Sequence, residues 1–111
     1  MVHTGATKGR VVFLVRLRPG AEDAFLEAYE TIRHEVAGGV AGHVVDQVCR
    51  LRDDPERWLI TSEWDTLERF RDWERSPDHR ELAAPLRACI AEAQSLQYDV
   101  VAETSASEVH G

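Results

Sequence analysis

The chain has 111 residues, 43% hydrophobic and 30% charged, which suits one soluble domain with a core of its own. Its net charge is -7 and Lys8 is its only lysine. That balance speaks against a nucleic-acid surface, and against a P-loop or Schiff-base lysine unless Lys8 is recruited.

Cys49 and Cys89 fit no CxxC or zinc spacing and read as reduced thiols. VVFLV is too short for a signal-peptide core or a membrane span, so the expectation is a cytoplasmic protein.

Residues 1–9 are small and polar and read as a loose tail, with the domain over 10–103 and a second tail over 104–111. Arg10–Arg18 alternates as a strand, with Val11, Phe13, Val15 and Leu17 on one face. Pro19-Gly20 ends it. Phe25, Ala28, Tyr29, Ile32 and Val36 then recur at helical spacing over about 21–36, and Gly38-Gly39 and Gly42 close that helix.

His43–Arg52 reads as a second strand, with His43, Val45, Gln47, Cys49 and Leu51 inward and Val44, Asp46, Val48 and Arg50 outward. Asp53-Asp54-Pro55-Glu56 makes a hairpin turn. The third strand, about 57–64, is the centre of the reading. Trp58, Ile60, Ser62 and Trp64 share one face, and Trp64 stands at the strand end beside the Asp65-Thr66 cap. An indole there sits at the mouth of the space between sheet and helices.

A short helix follows to about Arg75, with Leu67 and Phe70 inward. Ser76-Pro77 starts another, predicted to reach about Ala93 with a kink or restart at Pro85. Ser95–Glu103 is the fourth strand, with Leu96, Tyr98 and Val100 inward.

The order β-α-β-β-α-α-β predicts a ferredoxin-like α+β domain, a four-stranded antiparallel sheet with helices on one face. The uncovered face should carry Val12, Leu14, Val44, Val48, Leu59 and Val101 among charges. So much apolar surface predicts a homodimer packed sheet against sheet.

RLRPGAEDAFLEAY, RLRDDPERWLITSEW and DTLERFRDWERSPDHREL together resemble the antibiotic biosynthesis monooxygenase family of the dimeric α/β-barrel superfamily. The likeness runs from about Val11 to Val101. It implies a hydrophobic cavity in each subunit. Among the activities it implies are cofactor-independent oxidation of aromatic phenols to quinones, haem degradation and polyketide cyclisation. Trp64 matches the family's pocket tryptophan. Trp73 stands where haem-degrading members carry their ligand histidine, and the chain has no asparagine, a residue prominent in both the haem-degrading and the quinone-forming sites, so the quinone-forming mechanism lacks one of its usual polar groups here. Both departures argue against haem degradation.

Cofactor-free oxygenation needs an ionised substrate, hence a base and groups that stabilise an anion. The candidate catalytic residues are His43, Trp64 and His79; the candidate substrate-binding residues are Tyr29, Gln47, Trp58, Ser62, Trp73 and Tyr98. No His, Asp or Cys cluster has metal-ligand spacing, and His34-Glu35 meets Gly38 where HExxH requires histidine. The functional expectation is a tailoring enzyme for a hydrophobic aromatic or polyketide substrate. It would use molecular oxygen and no cofactor, with no nucleic-acid or membrane partner. A cyclase on the same fold, or a non-catalytic ligand- or haem-binding module, is the alternative.

Overall fold

The computed structural model describes residues 7–104 and 106. The elements are β1 Gly9–Leu17, α1 Glu22–Gly39, β2 His43–Arg50, β3 Arg57–Trp64, α2 Leu67–Glu74, α3 Pro77–Ala88 and β4 Ile90–Asp99. The four strands form one sheet in the order β2-β3-β1-β4, every neighbouring pair antiparallel. This is the expected ferredoxin-like α+β arrangement. The predicted tails lie mostly outside the described residues, except that Gly9 already belongs to β1 and residues 100–104 follow the end of β4.

Alternation on the central strands fixes which side is dry. Val11, Val15 and Leu17 of β1 and Trp58 and Trp64 of β3 are all buried on the helix side. Phe25 and Tyr29 of α1 pack onto them, as do Leu86 of α3 and Cys89, making one core cluster around Trp58. A second cluster joins Val11, Trp64 and Phe70 where α2 begins.

Capping sets the helix starts. The Thr66 hydroxyl accepts from the Arg69 amide and the Ser76 hydroxyl from the His79 amide, each satisfying an amide the helix leaves free. The start of α2 presses close to the sheet. Gly42 has φ +87°, its carbonyl accepts from the Asp65 amide at 2.8 Å, and a Cβ there would stand 2.5 Å from Asp65 Oδ1.

Two strands differ in phase from the sequence reading. In β2, His43 pairs with Trp64 but Val45 pairs with Glu63, so Val44 is an inserted residue, a β-bulge. From there the inward set is Asp46, Val48 and Arg50, opposite Ser62, Ile60 and Trp58, while Val45, Gln47 and Cys49 face outward. The inversion is stable because the inward groups find partners: Asp46 is hydrogen-bonded, Val48 joins the core, and Arg50 lies 5.7 Å from the Trp58 ring centroid.

The helix α3 continues through Pro85 but ends at Ala88, and β4 begins at Ile90 rather than Ser95. The Cys89 carbonyl accepts from the Arg18 amide and Ile90 pairs with Leu17, so the sheet claims this segment. In β4, Ala93, Ser95 and Gln97 pair with Val15, Phe13 and Val11 on the helix side. Leu96 and Tyr98 share the outer face with Val12 and Arg10, opposite to expectation.

The outer face therefore keeps its apolar character with altered membership. Val12, Leu14, Val45, Leu59, Leu96 and Tyr98 lie on it, while Val48, Asp46, Arg50 and Asp99 turn inward. Val101 falls beyond the sheet and is 93% exposed.

Candidate active site

Between the inner sheet face and the three helices lies a chamber of about 310 Å³. Apolar side chains dominate its wall: Val11 and Phe13 from β1, Ile60 and Trp64 from β3, Phe70 from α2, Leu86 from α3. Its exposed rim is Glu74, Arg87 and Ser95, so its mouth faces solvent between α2, α3 and β4.

The polar groups within it form two sets. On one wall stands a chain of three. Tyr29, near the middle of α1, donates its hydroxyl to Asp46 Oδ2. The other oxygen of Asp46 lies 3.0 Å from His43 Nε2. The His43 and Asp46 side chains are only 8% and 15% exposed. A carboxylate can only accept, so His43 donates from Nε2, and in the neutral ring the lone pair then falls on Nδ1. Burial, then the bond to Asp46, pushes the Tyr29 phenol well above its ordinary value and keeps it protonated as a donor. The His43 ring meets the Trp64 indole edge-on, with centroids 5.3 Å apart.

Trp64 is held from both sides. Its Nε1 donates to Ser62 Oγ at 2.9 Å and its ring stacks edge-on with Phe70 at 5.5 Å. At 2% exposure it is among the most deeply buried side chains. The indole thus forms a rigid apolar wall, and its one donor is already occupied.

The second polar set is at the mouth. His79, in the first turn of α3, packs edge-on against Trp73 with centroids 5.4 Å apart. Burial holds it below its ordinary value, assisted by Arg87 and opposed by Glu74.

Of the residues singled out from sequence, His43, Trp64, His79, Tyr29, Ser62 and Trp73 line the chamber. Trp58 faces the same side but lies in the core below it, with its Nε1 donating to the Pro55 carbonyl at 2.7 Å. Gln47 and Tyr98 are on the opposite face of the sheet, because of the β2 bulge and the phase of β4. Asp46 was not among the candidates. Strict alternation places it outward, and only a bulge between it and His43 brings both to one side. Among the described residues, no group of three His, Cys, Asp or Glu side chains is placed to hold a metal ion, and no helix is long and apolar enough to cross a membrane.

A four-stranded antiparallel sheet with three helices over one face and an apolar chamber between the layers defines a small ferredoxin-like α+β domain. This chain belongs to the antibiotic biosynthesis monooxygenase family, whose sequence pattern it matches over residues 9–85.

Among curated proteins it is 42% identical over 95 residues to a 42.8 kDa protein of the whiE locus of Streptomyces coelicolor, and 37% identical over 101 residues to the polyketide synthase CurD of Streptomyces cyaneus. The matches take in 86% and 91% of this chain but 24% and 27% of those proteins, so it spans about a quarter of their length. Among solved structures, SnoaB of Streptomyces nogalater, described as a cofactor-independent oxygenase, superposes with a TM-score of 0.77 at 20% identity over 91% of this chain and 98% of its own. A conserved protein of Methanosarcina mazei superposes at 0.76 with 20% identity, over 84% of this chain and 92% of its own. These two likenesses concern the fold.

Proposed function

We propose that this domain is a polyketide-tailoring oxygenase. Its substrate would be a planar aromatic phenol or anthrone, and molecular oxygen its co-substrate, with no flavin, haem or metal taking part. One observation carries the reading: the Tyr29–Asp46–His43 chain set beside Trp64 in an otherwise apolar chamber. The names of the Streptomyces relative CurD and the structural neighbour SnoaB support the substrate class and the chemistry.

His43 Nδ1 takes a proton from the phenol or from the anthrone methylene. Asp46 stabilises the imidazolium that forms, and Tyr29 holds Asp46 in place. The substrate anion passes one electron to oxygen, and the resulting radical pair combines to a carbon-bound peroxide. Loss of water converts that carbon to a carbonyl. One methylene and one O₂ thus become one quinone carbonyl and one water. The apolar wall favours this sequence, because a dry anion is a better electron donor than a hydrated one. At about 310 Å³ the chamber suits a compact ring system, near the lower end of the roughly 300–1,000 Å³ usual for small-molecule sites.

The working unit is a homodimer joined through the outer sheet face. Leu14, Val45 and Tyr98 are 37%, 43% and 51% exposed there, and covering what remains of each is worth roughly 0.5–1.5 kcal/mol, about half or less of a full side-chain burial.

Oxygen uptake with dithranol, a three-ring dihydroxyanthrone, tests the chemistry. Stoichiometric uptake with appearance of the anthraquinone, lost in His43→Ala, is the expected result. Turnover without uptake would make the domain a cyclase, and binding without turnover a ligand carrier. Either result overturns the oxygenase reading.

A further inference from the structure

A second, wider concavity lies behind the chamber, where the end of α1 meets α2 and α3. It is an open cleft of about 1,000 Å³, lined by residues that include Gly38, Gly39, Arg69, Asp72 and Leu82. Trp73 lines both spaces. Its indole is half-buried, seated on the second core cluster and edge-on against His79. The backbone beneath it is fixed, since the Trp73 carbonyl accepts from the Ser76 hydroxyl at 2.6 Å.

Gly38 and Gly39 leave the wall of the cleft without side chains at the last turn of α1. They close the helix without left-handed φ, and apart from chain neighbours and the helix's own backbone no atom lies within 4 Å of where a Cβ would sit on either. Glycine costs about 0.5–1 kcal/mol relative to alanine in a helix interior and less at a helix end, and no packing contact here excludes a side chain. Without side chains at these positions, the space beyond Trp73 is vacant and large enough for ligand atoms.

We infer that Trp73 is the specificity-determining partition of this protein. It closes the reactive chamber to compact aromatic substrates, and it alone separates a longer ring system from the cleft. The inference rests on the chamber being the substrate site.

The test compares the affinity of two probes, dithranol with three fused rings and a naphthacenone with four, measured by titration calorimetry. In the parent protein dithranol should bind better. In Trp73→Ala the ratio should move toward the naphthacenone by about tenfold or more, the scale of one further buried ring edge. Trp73→Phe should give a smaller shift of the same sign. Gly39→Leu, placed where nothing is displaced, should return the ratio of Trp73→Ala toward the parent value.

A ratio within twofold of the parent in folded Trp73→Ala overturns the inference. If that variant does not fold, an unmoved ratio in Trp73→Phe overturns it equally. Oxygen uptake is a separate readout. A shifted ratio with no uptake from either probe leaves the partition standing and removes the oxygenase chemistry, whereas failure of both probes to bind the parent removes both.

Discussion

Replacing Asp46 by Asn is the sharpest test of the proposed chemistry. The change keeps shape and can keep the bond from Tyr29, but it removes the charge 3.0 Å from His43 Nε2. An amide oriented to accept from Tyr29 points its NH₂ at His43. The imidazole must then accept at Nε2 and carry its proton on Nδ1, the atom needed as the base. The imidazolium also loses its counter-charge. For charges about 4 Å apart at a partly buried site that interaction is roughly 4 kcal/mol. Since about 1.4 kcal/mol is a factor of ten, its full loss corresponds to about three orders of magnitude in rate. That agrees with the roughly 10²–10⁴ that a general base contributes. The expected outcome is a kcat lower by about 10²–10³ with KM nearly unchanged, followed by oxygen uptake and quinone absorbance on dithranol. A folded Asp46→Asn protein with kcat within threefold of the parent would refute the reasoning, and would make the Tyr29–Asp46–His43 chain a packing feature.

Gly42→Ala should lower Tm by about 10 °C or more, because φ is +87° and the new Cβ would meet Asp65 and Arg69 at 2.5 and 2.6 Å. Gly38→Ala should raise Tm by a few degrees, since its site is open and its φ is not left-handed; calorimetric melts of both variants check the contrast. His79 is held below its ordinary value by burial, with Arg87 adding to the effect and Glu74 opposing it. Its contribution to stability is therefore present above about pH 6.5 and lost as pH falls below it, because the unfolded chain takes up the proton first. The acid-side decline of Tm should be shallower in His79→Gln. Leu14→Asp, in the middle of the outer sheet face, should convert the proposed dimer to a monomer in analytical ultracentrifugation while leaving far-UV dichroism intact.

Much of this was readable from residues. The alternation Trp58, Ile60, Ser62, Trp64 gives the inner face of β3, since that strand is central and one side of it must be dry. Thr66 and Ser76-Pro77 mark two helix starts through capping chemistry that is local in sequence. Alternation failed on the two edge strands. In β4 most side chains on both sides reach solvent, so polarity does not distinguish inside from outside. In β2 the count itself is broken at Val44, and every residue after it changes side. That is why Gln47 was expected in the chamber and Asp46 was not. Asp46 is an acid with two specific partners, one of them on another element, and such partners emerge only once α1 is laid across the sheet.

On an unbroken strand, residues separated by three positions project in opposite directions, so a histidine and an aspartate so spaced could never touch. The pairing of His43 with Asp46 thus depends on chain length and not on which residue stands at position 44. Scanning that position by substitution should leave the pair almost intact, whereas deleting its codon should separate the two side chains while both remain in the protein. The proposed acid–base pair is in that sense written as an insertion, and a single in-frame deletion is the shortest genetic route to a copy without it.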